Sequence, residues 1–150
     1  MTANDTPNQI KYENYREQFK RLDKALNNKF YLEAMFIAYA IIEDRTESIL
    51  SYEGNEIKSK GFVSVDQKLK KIRKLAEKDS SLLEKYFSDG LIDEILDWKK
   101  DRNTLIHALM KQSLTTEDLQ TVALNGKRLT RILANKATTY RRAVERKNKR

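Results

Sequence analysis

Apolar residues recur every three or four positions along most of the chain, which is the period of a helix with one face turned inward. Between Ile10 and Asn27 the stripe is Tyr12, Tyr15, Phe19, Leu22 and Leu26. A second helix, from about Phe30 to Ser51, is apolar on nearly every side through Ala34, Met35, Phe36, Ile37, Ala38, Tyr39, Ala40, Ile41 and Ile42. A helix without a polar face belongs in the middle of a bundle. It turns polar abruptly at Glu43, Asp44 and Arg45. Ser64 with Gln67 reads as a capping box for a third helix, Val65 to about Lys78, carrying Leu69, Ile72 and Leu75 inward. Ser81 and Glu84 open a short fourth helix through Phe87, which Asp89 and Gly90 end. The fifth should run from Leu91 to about Lys111. A long last helix starts near Thr115 and Asp118, with Leu119, Val122, Leu129, Ile132 and Leu133 on its inner side and a kink expected at Asn125 and Gly126.

Residues 1–9 are polar and aperiodic and read as a flexible leader, and Gly54 to Ser64 as the one substantial loop. No internal repeat or linker divides the rest, so residues 10–150 read as a single domain. Four Gly and one Pro leave little turn chemistry for hairpins. The expectation is an all-α bundle of about five to six helices.

Charge adds a direction to this picture. The formal net charge is +8, yet from Lys127 to Arg150 ten basic residues face Glu145 alone, while the remainder carries 20 basic and 21 acidic residues. The positive field therefore belongs to the final helix, where Arg128, Arg131, Arg141 and Arg142 are candidates to hold a nucleic-acid backbone. A solvated terminal helix is the plainer reading of such a run. Without Cys, and with a single His, the chain offers no disulfide, no thiol nucleophile and no zinc set, and no cofactor motif is present. No secretory pattern opens it and no apolar run is long enough for a bilayer, so no membrane is expected and the cytoplasm is the expected location.

The chemistry concentrates on the fifth helix. With Arg102 set at zero and 100° per residue, Leu91, Ile95, Trp98, Leu105, Ile106 and Leu109 all fall within about 60° of it. Asn103 and His107, four apart, stack at one edge of that face. A guanidinium on an apolar stripe is costly unless paired, or unless the stripe faces a cleft or a second chain. One reading pairs Arg102 with the helix-two carboxylates Glu43 and Asp44, with Asn103 and His107 completing the network.

Arg102-Asn103-Thr104-Leu105-Ile106-His107 also resembles the Arg-Asn-x-x-x-His signature of the HEPN superfamily, on the penultimate long helix of an all-helical chain whose apolar second helix ends in acidic residues. The resemblance is closest to small members of toxin and phage-defence type. It implies a metal-independent endoribonuclease that uses a 2′-hydroxyl to attack the neighbouring phosphate, with His107 moving protons, Arg102 stabilising charge and Asn103 orienting the ring or the phosphate. Glu43 and Asp44 would be supporting acids, RNA the substrate, and an antitoxin or activator protein a further partner. The Tyr that antitoxin-modified toxins carry two residues before the His is Leu105 here, which does not support that form of regulation. One histidine per chain cannot be both acid and base, so the reading requires a homodimer in which two copies of the fifth helix share one cleft. The rivals are a bundle of the same kind that binds RNA or nucleotide, or regulates a partner, without turnover, and a duplex-DNA-binding protein driven by the basic helix alone. Tyr140, beside Arg141 and Arg142, could stack on a base but reads more as packing, as do Tyr12, Tyr15, Phe19, Phe36 and Tyr39.

Overall fold

Four helix starts are set by hydroxyl side chains, those of Thr6, Ser64, Ser81 and Thr115, that bond to otherwise unpaired backbone N–H groups. Thr6, Ser64 and Thr115 each accept a hydrogen bond from the N–H three residues on, at 3.2, 3.2 and 3.1 Å. In return Gln9, Gln67 and Asp118 accept from the cap N–H at 2.7, 3.1 and 3.1 Å. The computed structural model describes residues 6–53 and 63–150. Among them the elements are α1 (Pro7–Asn27), α2 (Tyr31–Tyr52), α3 (Val65–Leu75), α4 (Leu82–Phe87), α5 (Leu91–Ala108) and α6 (Thr116–Asn148), with no strand. The fold is the all-α bundle that periodicity predicts.

Several boundaries differ from the sequence reading for local reasons. α1 begins three residues before Ile10, because Thr6 and Gln9 form a capping box and Pro7 occupies the first turn, where its missing N–H costs nothing. The last residues of the expected leader are therefore helix, and residues 1–5 lie outside the described residues. The expected loop from 54 to 64 lies outside them as far as residue 62. α5 ends at Ala108 instead of Lys111, where the amides of Lys111 and Gln112 both turn back to the Ala108 carbonyl at 3.0 and 2.9 Å. No described helix is long and apolar enough to cross a membrane.

α2 packs along α6 as the central pair. α1 lies on α2 and touches α6, α5 lies on α6, α3 bridges α2 and α5, and α4 packs against α3 and α6. The larger core cluster gathers Ile42, Ile49, Leu69, Ile72, Ile95, Trp98, Leu133 and Tyr140. A smaller one, with Leu22, Ala34, Met35, Ile37 and Ile41, lies under α1 and reaches α6 through Ala123.

The expected kink at Asn125 and Gly126 is absent: α6 runs unbroken from Thr116 to Asn148. Gly126 serves a close approach instead. A Cβ there would stand 2.6 Å from Cζ2 of Trp98, a side chain that is almost wholly buried. Trp98 Nε1 donates to the Val122 carbonyl of α6 at 2.8 Å, so the nitrogen-bearing edge of the indole is held against the helix backbone. This contact fixes α5 on α6 and so sets the angular position of Arg102 one turn further on.

Candidate functional site

α5 starts at Gly90, which takes φ 88° and so turns the chain out of α4 where a side chain would be strained. Its apolar stripe is buried over the first half, through Leu91, Ile92, Ile95, Leu96 and Trp98. Past Trp98 the stripe leaves the core. Leu105 is half-buried against the smaller cluster, whereas Ile106 and Leu109 are exposed and Met110 is 91% exposed. Arg102 sits at the changeover and is partly buried.

Arg102 finds its partner on α2, although not where the sequence suggested. Its guanidinium carbon lies 4.4 Å from the centre of the Tyr39 ring, and Nη1 donates to Asn103 Oδ1 at 3.0 Å. Lys99, one turn earlier, is 5.8 Å from the same ring. A cation over an aromatic face contributes about 0.5–2 kcal/mol, depending on how dry the site is. Arg102 Nε is shielded from solvent and bonds to nothing among the described residues. The forked end of the side chain is thus steadied by a ring and an amide, with no carboxylate among the described residues neutralising it.

Neither Glu43 nor Asp44 forms an ion pair with Arg102. Glu43 stands 3.9 Å from Lys68 of α3, whose ammonium is also paired with Glu47. Asp44 faces α1, where it accepts hydrogen bonds from Tyr15 and, at 3.0 Å, from Arg45, with Lys11 at 3.6 Å. Burial alone would raise the Asp44 pKa, but the hydrogen bonds from Tyr15 and Arg45 and the charges of Lys11 and Arg45 outweigh it and hold the carboxyl below its usual range. Burial, reinforced by the hydrogen bond to Asp44, pushes the Tyr15 phenol well above its ordinary value.

His107 lies in the last turn of α5, exposed, one turn beyond Asn103 on the same side of the helix. On α2, Leu32 and Phe36, the latter 70% exposed, fall within about 60° of Tyr39, the residue that meets Arg102. Arg102, Asn103 and His107 therefore lie on α5 among the exposed apolar residues of its own C-terminal end, Ile106, Leu109 and Met110. Among the described residues no group of three or more His, Asp or Glu is placed to hold a metal ion.

The candidate RNA-binding arginines of α6 separate by face. Arg128 is turned to α5, where it pairs with Glu94 at 2.7 Å and Asn125 at 3.0 Å. Arg131 turns to α1, covering the Phe19 ring at 4.2 Å and standing 3.4 Å from Asp23. Arg141 is 3.9 Å from Glu145, and Arg142 is exposed with no acidic partner among the described residues. Tyr140 is fully buried: its hydroxyl donates to Glu53 and its ring meets Tyr86 and Phe87 edge-on at 6.3 and 5.8 Å. It is a core residue and no base platform.

Sequence reasoning missed Tyr39 as the seat of Arg102 and the basic residues of α1 that face α6. The first had no signal, because α2 is apolar all round and its periodicity gives no direction. The second had one, since Lys11, Tyr12, Tyr15, Arg16, Phe19 and Lys20 recur at three and four. The chain matches no protein-family model, and no curated protein or solved structure is significantly similar to it.

Proposed function

We propose that the protein is a metal-independent endoribonuclease of the kind implied by the Arg-Asn-x-x-x-His resemblance, acting as a homodimer with one composite site across two copies of α5. The observation that supports it is the burial pattern of that helix. Its apolar stripe emerges from the core at Arg102, and Arg102, Asn103 and His107 lie at the rim of an uncovered apolar surface. Exposed apolar patches rimmed by polar residues mark interaction sites. A two-fold pairing would cover Ile106, Leu109, Met110 and Phe36 and bring two imidazoles and two guanidiniums to one cleft.

In such a cleft one His107 takes the proton from the ribose 2′-hydroxyl as its oxygen bonds to the adjacent phosphorus. The partner's His107, protonated, gives a proton to the 5′-oxygen as the P–O bond breaks. The products are a cyclic phosphate and a free 5′-hydroxyl. The Arg102 guanidiniums pair with the phosphate oxygens as charge builds on them. Tyr39 leaves the guanidinium nitrogens their charge for that purpose, where a carboxylate would have cancelled it.

One feature favours the alternative, a bundle that binds RNA without turnover: no described side chain orients the His107 ring. Dimerisation separates the two readings. Phe36→Asp with Met110→Asp changes only exposed side chains, so circular dichroism should be unaltered. Light scattering should show wild type as a dimer at micromolar concentration and the double variant as a monomer with cleavage lost. A monomeric double variant that cleaves as fast as wild type would exclude the composite site.

A further inference from the structure

A concavity of about 660 Å³ lies away from α5, between α1 and the C-terminal half of α6. The two helices are joined at one end, where Asp23 pairs with Lys127 at 2.8 Å and with Arg131 at 3.4 Å. From there the cleft runs towards the start of α1 and the end of α6. Both walls are helical stripes at spacings of three and four. Lys11, Arg16 and Lys20 project from α1, and Arg131, Arg141 and Arg142 from α6, while α2 adds Arg45 at the floor. Among the described residues, Asp23 is the one acidic residue on the lining.

Neutralisation inside the cleft is partial. Asp44 is shared between Lys11 and Arg45, and Asp23 serves Arg131 and Lys127. Arg16, Lys20 and Arg142 have no acidic partner among the described residues, and Arg141 Nε is shielded from solvent without a hydrogen bond there. So many like charges facing one another across a cleft disfavour the empty state and favour an anion that spans both walls. The α1 wall from Asn8 to Asp23 is about 22 Å long at 1.5 Å per residue, which suits an extended chain of phosphates better than a compact anion. Tyr12 lies on the same wall, 68% exposed, an aromatic face that the fold leaves uncovered among cations. A groove lying between two helices admits one strand, whereas a duplex would need a convex or open basic surface.

We infer that the α1/α6 cleft binds a single strand of nucleic acid, its phosphates held between Arg16 and Lys20 on one wall and Arg141 and Arg142 on the other, with a base on Tyr12. This deepens the ribonuclease reading by placing the substrate strand, and it excludes Arg128, which faces α5. It does not require turnover at α5.

Fluorescence anisotropy with a labelled oligouridylate, an oligothymidylate and a duplex tests it on the full chain. Arg16→Glu/Lys20→Glu/Arg142→Glu should abolish strand binding at moderate salt and lower the slope of log K against log salt by about 2, three contacts at about 0.7 each. Tyr12→Ala should weaken binding on the order of tenfold, the loss of one stacked base. The charge-matched control Lys70→Glu/Lys71→Glu/Lys74→Glu, on exposed positions of α3, should bind almost as wild type. RNA preferred over the DNA strand would identify the 2′-hydroxyl as read, and equal binding a phosphate-and-stacking groove; both support the inference. It is overturned if wild type binds no strand, if the control loses as much affinity as the cleft variant, if duplex binds more tightly than either strand, or if polyglutamate displaces RNA at equal charge. The two proposals fail separately. Absent cleavage with binding lost only in the cleft variants sinks the nuclease and keeps the cleft, and His107-dependent cleavage with unaltered binding in those variants does the reverse.

Discussion

Lys29 sits at φ 60°, in the left-handed region, between α1 and α2. The amide of Phe30 reaches back to the Ala25 carbonyl at 2.8 Å and that of Lys29 to Leu26 at 3.1 Å, the two bonds of a Schellman turn in which Gly is the usual residue. A side chain in that region costs about 1–2 kcal/mol. Lys29→Gly should therefore stabilise the fold by about 1 kcal/mol, read as a rise of roughly 2–4 °C in Tm by calorimetry. The ionisable core makes a second prediction. Tyr15 and Tyr140 are both held above the ordinary phenol range, Tyr140 by burial and by its hydrogen bond to Glu53. Raised folded values favour the protonated forms, so this stability is present below about pH 10 and lost as pH rises through the folded values. Asp44 has the opposite sign: its lowered value gives stability above about pH 4 that is lost on acidification. Ultraviolet titration should show two of the seven tyrosines ionising only as the circular dichroism signal collapses. Tyr15→Phe, which removes a hydrogen bond to Asp44, should move the acid midpoint upward.

At the scale of elements, apolar stripes located α1, α3, α5 and α6, a continuous apolar run located α2, and capping residues located α4. What they could not locate was the relation between helices. Gly126 is the clearest case: beside Asn125 it reads as a kink, whereas its role is defined by the Trp98 ring 28 positions earlier in the chain. Gly126→Ala should cost about 1–3 kcal/mol from overpacking, measured by denaturant unfolding, in spite of the better helix propensity of Ala. An unchanged or raised midpoint would mean that the ring can move aside. Glu43 and Asp44 teach the same lesson. Adjacent in sequence, they point about 100° apart, one to Lys68 of α3 and the other to Tyr15 of α1, and neither direction is fixed until the neighbours of α2 are known.

For the whole molecule, two surfaces stand apart: the exposed apolar end of α5, and the basic cleft between α1 and α6, whose described lining holds no residue of α5. The motif on α5 was legible because its spacing places Asn103 and His107 on one side of a helix whose existence was plain. The Tyr39 seat of Arg102 and the cleft arise from packing between distant segments. The excess charge of the final helix pointed to a polyanion, but intramolecular pairs spend part of it: Lys127, Arg128, Arg131 and Lys136 all bond to acidic side chains, and burial lowers the Lys136 pKa. The charge left for a partner lies further along, where α6 faces α1.

The proposed cleavage of RNA by Arg102 and His107 without metal is tested most directly by incubating labelled RNA with the purified protein in EDTA, comparing wild type with His107→Ala and Arg102→Ala. Wild type should cleave and leave cyclic-phosphate and 5′-hydroxyl ends, and His107→Ala should lose about 10²–10⁴-fold in rate. Cleavage that persists in His107→Ala, or no cleavage by wild type at concentrations where it is dimeric, would contradict it.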